Sequence, residues 1–178
     1  MTPLPPLPIL VTERLTLRQL RPDDANELVI LRSDATVNQY LDRPKTVNLE
    51  EAHQFVENIN QHITEIPRYY WAISLHNDDR LIGTTCMFRI NLETKLAEIG
   101  YELHPNFQGK GIMQEAVSAI INFGFNRLNL DLLLAFTKPE NAASVRLLTR
   151  NNFRYDTDLQ YATPKELGAY NCFFCKKD

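Results

Sequence analysis

Apolar and polar residues alternate along Arg14-Leu15-Thr16-Leu17-Arg18-Gln19-Leu20, the period of a half-buried strand. Pro22-Asp23-Asp24 then supplies helix-start chemistry, a proline with acids in the first turn, and predicts a helix to about Arg32. A second helix is predicted over Leu49 to Thr64, where Ala52, Phe55, Val56, Ile59 and Ile63 fall on one face and Pro67 marks the end. Tyr69–Leu75 and Leu81–Ile90 read as strands joined by the turn cluster Asn77-Asp78-Asp79. After a polar turn at 91–95, Leu96–Leu103 reads as a third strand.

The period then changes. From Gly111 to about Leu128 the residues Met113, Ala116, Val117, Ile120, Ile121 and Gly124 share one helical face. Leu132–Thr137 is a short apolar run typical of a buried strand. Asn141–Asn151 predicts a short helix, and Phe153–Leu159 and Tyr170–Lys176 predict closing strands. The prolines at 3, 5, 6 and 8 make residues 1–11 a stiff, extended arm, free to be mobile, leaving 12–178 as a single domain. The order of elements implies an antiparallel meander in the middle of the chain. The strand–helix–strand unit from Leu96 to Thr137 implies one parallel pair. The expected class is α/β (mixed α+β), a mixed sheet with helices on both faces.

Composition narrows the function classes. The chain has 178 residues, 44% hydrophobic and 23% charged, ordinary for a soluble domain. A formal charge of −3 lacks the basic footprint of a nucleic-acid binder. No apolar run reaches the roughly 18 residues needed to span a bilayer, and the start has no positive n-region, so the expected location is cytoplasmic. Cys86, Cys172 and Cys175 are too few and odd in number for a disulfide framework. Cys172 and Cys175 have the C-x-x-C spacing, but no second pair completes a zinc site and the segment reads as a strand. His53, His62 and His76 do not cluster, so no metal is expected.

The sharpest local feature is Leu103-His104-Pro105-Asn106-Phe107-Gln108-Gly109-Lys110-Gly111-Ile112-Met113. A strand ends, Pro105 stops pairing, and two glycines lead into a helix. Glycine lets the backbone approach a ligand closely and adopt positive φ. The first N–H groups of a helix lack internal partners and sit at the positive end of the dipole, which suits an anion such as phosphate. Lys110 adds a full charge nearby. A Gly-x-Gly before a helix is also an ordinary tight connection. Two nucleotide loops fail on the letters: the Walker loop needs Ser or Thr after Lys110, where Gly111 stands, and the Rossmann fingerprint needs a small residue at 114, which is Gln114.

Taken with its neighbours, the segment resembles the signature of the GNAT N-acetyltransferases, Gln/Arg-x-x-Gly-x-Gly/Ala, read here as Gln108-Gly109-Lys110-Gly111-Ile112-Met113 with a departure at the sixth position. Gly111-Ile112-Met113 is similar to the ribosomal-protein N-terminal acetyltransferase branch, the RimJ/RimL type. Thr12-Glu13-Arg14-Leu15-Thr16-Leu17-Arg18 with Pro22–Ala25 resembles that branch's opening. Ala97-Glu98-Ile99-Gly100-Tyr101 precedes the loop, and Asn141-Ala142-Ala143-Ser144 with Asn152-Phe153 matches the following helix, Asn152 standing where glycine is usual. The resemblance runs from about Thr12 to the C-terminus. It implies a largely antiparallel sheet whose central parallel pair is splayed around acetyl-coenzyme A, direct acetyl transfer to a primary amine, and no metal.

The same resemblance implies roles. The N–H groups of Gln108, Gly109, Lys110, Gly111, Ile112 and Met113 would hold the pyrophosphate. The strand end at Tyr101 and Leu103 would hold the pantetheine arm, with the Leu103 N–H donating to the thioester oxygen. Asn141 would cap its helix and touch the same arm. Glu98 is the candidate general base; a charge paired with a neighbour is the alternative. Glu102 shares its face by two-residue alternation and is the fallback, while His104 reads as an exposed loop histidine. The tyrosine that many GNAT enzymes use toward the thiolate is Leu148 here, so Ser144 is the candidate group near the sulfur; a helix serine bonding its own backbone is the other reading. Tyr69, Tyr70 and Trp71 read as core and sheet aromatics. The acceptor expected first is a protein N-terminus, as in ribosomal proteins. A small amine such as a polyamine or aminoglycoside, and a non-catalytic acetyl-coenzyme A-binding module, stay open, as do monomer and homodimer.

Overall fold

In a computed structural model, residues 4–46, 48–61, 68–158, 160–161 and 169–177 are described. Eight strands form one sheet: β1 (Leu10–Val11), β2 (Leu15–Arg18), β3 (Tyr69–Leu75), β4 (Asp78–Asn91), β5 (Leu96–Leu103), β6 (Leu132–Thr137), β7 (Arg154–Tyr155) and β8 (Asn171–Lys176). Their spatial order is β1-β2-β3-β4-β5-β6-β8-β7, and every pairing is antiparallel except β5 with β6. The helices are α1 (Ala25–Ser33), α2 (Ala35–Asn38), α3 (Leu49–Gln61), α4 (Ile112–Asn126) and α5 (Ala142–Arg150). The mixed class, the meander and the parallel pair agree with the sequence pattern. The helix expected to run to Thr64 is described only to Gln61; 62–64, His62 and Pro67 lie outside the described residues.

Two-residue alternation splits the sheet into two apolar faces. Leu15, Leu17, Tyr69, Trp71, Ile73, Ala97, Ile99 and Leu103 pack against α4 and α5 through Met113, Ala116, Val117, Ile120, Phe123 and Leu148. Ala72 and Leu81 pack against α1 and α3 through Leu28, Leu31, Ala52, Val56 and Ile59. The helices therefore cover both faces, and α4 and α5 share the face that receives the odd-numbered side chains of β5.

Three elements add to or differ from the sequence expectation, each for a local reason. The proline arm packs against the sheet where it is described. Leu4, Leu7 and Leu10 pack on the core, and the buried polar tips of Tyr69 and Trp71 donate to the carbonyls of Pro5 (2.9 Å) and Pro8 (2.8 Å). Four-residue α2 carries no buried residue, so it leaves no hydrophobic period; Asp34 caps it by accepting from the Val37 N–H. The strand expected from Phe153 shrinks to two residues because the buried Asp156 carboxylate accepts from the N–H groups of Gln160 (3.1 Å) and Tyr161 (2.9 Å) and turns the chain away; residue 159 lies outside the described residues.

Candidate active site

The parallel ladder is short. Pairing runs from Leu96↔Leu132 to Ile99↔Ala135 and stops, while β5 continues through Leu103 and β6 through Thr137. The two strands therefore splay apart beyond Ile99. His104 donates its N–H to the Ile82 carbonyl on β4 (2.9 Å). By alternation, the N–H groups of Tyr101 and Leu103 face away from β4 and into the opening. The Leu103 carbonyl points the same way and accepts from the Gln108 side-chain amide (2.9 Å).

The loop that follows is a backbone device. Gly109 (φ 72°) and Gly111 (φ 75°) both lie in the left-handed region, which costs other residues about 1–2 kcal/mol. Gly111 caps α4 with no side-chain bond, and its carbonyl accepts from the Glu115 N–H, the first bond of the helix. The N–H groups from Gly109 to Gln114 have no protein acceptor among the described residues. Around Gly109 nothing lies within 4 Å of the position a Cβ would take. These features fit a pyrophosphate: converging donors, open space and the positive end of a 15-residue helix. The Lys110 side chain donates to the Asn106 carbonyl (2.8 Å) and lies against Phe107; it does not line the cavity that the loop shares with the splay.

Thr12, Arg14 and Glu115 tie the loop to the first strands. Glu115 Oε1 accepts from the Thr12 hydroxyl (2.6 Å) and the Arg14 N–H (2.8 Å), and Oε2 pairs with Arg14 Nε (2.6 Å). Arg14 Nη1 also donates to the Lys110 carbonyl (3.0 Å). Burial alone would raise the Glu115 pKa, but these three groups outweigh it and hold the carboxyl below its ordinary value.

A cavity of about 540 Å³ joins the loop, the splay, α2 and the segment after α2. Tyr101, Leu103, Gln108, Gly109, Gly111, Ile112, Met113, Asn141 and Ser144 line it, so nearly every residue proposed from the sequence meets there. Asn141 caps α5 by accepting from the Ser144 N–H (3.1 Å) and still faces the cavity. The Tyr101 and Ser144 hydroxyls bond each other at 2.7 Å across the splay. Burial pushes the Tyr101 phenol up to about 12, against the opposing bond from Ser144, so it stays protonated at neutral pH. Leu148 is fully buried in the core and contributes nothing to the cavity.

The two glutamates separate. Glu98 sits opposite Phe88 on β4 and Leu134 on β6, inside the paired part of β5. Its carboxylate meets Arg89 Nη1 at 2.8 Å, and it does not line the cavity. Glu102 does, four residues and about 13 Å further along the strand. It is buried, and Oε1 accepts from the hydroxyls of Thr84 (3.0 Å) and Tyr70 (3.3 Å). Arg32 approaches Oε1 at 3.6 Å and Arg43 pairs with Oε2. Burial first, and then the Glu102 charge, push the Tyr70 phenol up. Arg43 is held in turn by Asn38 Oδ1 (3.2 Å), so the segment after α2 is anchored over the carboxylate. His104 is half-buried, and its Nδ1 accepts from the Asn106 N–H in the turn.

The sequence did not single out Arg32 and Arg43, which the structure places on Glu102, or Thr36–Leu41, much of which lines the cavity. Alternation put both glutamates on one face; where the ladder ends is what distinguishes them. Residues 14–154 match the acetyltransferase (GNAT) domain family. The chain is 37% identical over 172 residues to the uncharacterized N-acetyltransferase p20 of Bacillus licheniformis, covering 95% of this chain and 97% of that one. It is 28% identical over 156 residues to the ribosomal-protein-serine acetyltransferase of Escherichia coli, covering 86% and 87%. Among solved structures, RimL, a ribosomal-protein alpha-N-acetyltransferase in complex with coenzyme A, superposes with a TM-score of 0.77 at 25% identity, covering 96% of this chain and 98% of that one. The chain belongs to the GNAT acetyltransferases, enzymes that draw their acetyl group from acetyl-coenzyme A.

Proposed function

We propose that this acetyltransferase acts directly on a primary amine, the α-amine of a protein N-terminus, with Glu102 rather than Glu98 serving the acceptor. One observation carries the reading: a single cavity is lined by the glycine loop, the open edge of β5, the Tyr101–Ser144 hydroxyl pair and Glu102. When bound, acetyl-coenzyme A supplies an acyl group already activated as a thioester. The chain's residues then do the rest. The N–H groups of Gly109 to Met113 hold the pyrophosphate and fix the position of the arm. Those of Tyr101 and Leu103 line the arm, and the Leu103 N–H donates to the carbonyl oxygen as negative charge develops there.

An α-amine has a pKa near 8 (about 7.7–8.0), so a useful fraction is neutral at physiological pH. As its nitrogen bonds to carbon, its proton becomes acidic. Glu102 takes that proton directly or through a water. Arg32 and Arg43 hold the carboxylate in place, and the Tyr70 and Thr84 hydroxyls donate to Oε1. Ser144, held by Tyr101, donates a hydrogen bond to the departing sulfur. A coenzyme thiol has a pKa near that of cysteine, about 8.5, so full protonation by a strong acid is unnecessary. This pairing supplies a protic group where Leu148 cannot.

The test is an acceptor screen by thiol release, with peptides beginning Ser, Ala and Met beside polyamines and aminoglycosides. The reading expects release with free-N-terminal peptides and none with the same peptides blocked at the amine. Release confined to small amines would overturn the protein-terminus assignment, and no consumption with any amine would favour a binding module.

A further inference from the structure

The lining of the same cavity carries a feature that acetyl transfer does not use. The cavity's charged lining residues, among the described residues, are Glu102, Arg146 and Arg150. The two arginines stand on α5 with Ala143 and Leu147, at spacings of three, four and seven residues that make one helical stripe facing the cavity. Both are exposed, and neither forms an ion pair among the described residues. The nearby cations are already committed: Lys110 to the Asn106 carbonyl and Arg14 to Glu115. The end of α5 is fixed beside the loop, because Gln114 in the first turn of α4 donates to the Arg150 carbonyl (3.3 Å) and Ser118 bonds the Asn151 side chain (2.8 Å).

Direction follows from the two ends of the cavity. With a pyrophosphate on the N–H groups of Gly109–Met113 and the thioester arm running toward Leu103 and Ser144, the nucleoside end must leave past Gln114, along the Arg146–Arg150 stripe. Coenzyme A carries a third phosphate there, a monoester on the ribose 3′-oxygen with charge near −2 at pH 7, given a second pKa of about 6. The pyrophosphate is answered by backbone donors and the helix dipole, but a monoester dianion at the exposed rim calls for guanidinium groups, which fork onto phosphate oxygens. Resting on the coenzyme reading above, we infer that Arg146 and Arg150 form a 3′-phosphate subsite that selects coenzyme A over its 3′-dephospho form.

Calorimetric titration of the protein with coenzyme A and with 3′-dephospho-coenzyme A tests this. The wild type is expected to bind coenzyme A at least about tenfold more tightly, about 1.4 kcal/mol, with the ratio shrinking as salt rises. The double variant Arg146→Ala, Arg150→Ala is expected to bind both ligands alike, at the wild-type affinity for the dephospho form. Because the side chains are exposed, circular dichroism should show the fold unchanged, and the wild-type ratio is informative in any case. Equal wild-type affinities would overturn the subsite, as would a double variant that keeps the preference. Failure to bind either ligand would instead overturn the coenzyme reading itself.

Discussion

The two halves of the cavity are built from different materials. The half proposed for the acetyl donor is largely backbone: glycines at φ 72° and 75°, uncommitted N–H groups at the start of α4, and the open edge of β5 beyond Ile99. The half proposed for the acceptor is side chains: Glu102 held by Thr84, Tyr70, Arg32 and Arg43 beneath the segment that follows α2. A side-chain site can be retuned by single substitutions without disturbing the fold, so on the proposed reading acceptor choice belongs there.

The comparison breaks first at the glutamates. Glu102→Gln is expected to lower kcat about 100-fold with coenzyme affinity held within about twofold, the range for loss of a general base. Glu98→Gln, outside the cavity and paired with Arg89, is expected to change kcat less than about threefold while lowering the melting temperature by a few degrees. Steady-state thiol release and a thermal melt check both, and the reverse order would restore Glu98 as the base. On the donor side, Gly111→Val forces a branched side chain into the left-handed region beside the Arg14 guanidinium, 3.4 Å from the Cβ position. Its cost of about 1–2 kcal/mol should weaken coenzyme binding about tenfold or more.

Smaller effects sharpen the boundary between the halves. Ser144→Ala and Tyr101→Phe each remove one member of the hydroxyl pair and are expected to lower kcat about three- to tenfold without altering coenzyme affinity beyond twofold, in line with a neutral hydrogen bond of about 1 kcal/mol. If their losses add fully in the double variant, the two hydroxyls act separately and the proposed pairing is wrong. Smallest is the loop tether. Glu115 has a depressed pKa, so its contribution to stability is present above the unfolded value of about 4.3 and is lost as pH falls through its lower folded value. Glu115→Gln should therefore destabilise the protein at pH 7, with the gap from wild type closing in acid melts.

Legibility followed the same division. The glycine loop could be read because positive φ and close approach demand a residue type, and Asn141 because a cap does too. The meander and α4 could be read from their periods. The different settings of Glu98 and Glu102 could not be read, because alternation places them on one face and only the end of the ladder at Ile99↔Ala135 tells them apart. Arg43 and the segment after α2 lacked any period, since α2 buries nothing. Nor does the sequence show that the carbonyls of Pro5 and Pro8 serve Tyr69 and Trp71, more than sixty residues away. Those are partnerships over distance, and local pattern is blind to them.

Amide hydrogen exchange with and without acetyl-coenzyme A tests the central claim most directly, because it reads the backbone N–H groups said to form the donor half. Ligand is expected to slow exchange at Gly109 to Gln114 and at Tyr101 and Leu103, with smaller changes at Thr36–Leu41. Unchanged exchange in the loop and at the β5 edge, or protection concentrated elsewhere in the protein, would contradict the account.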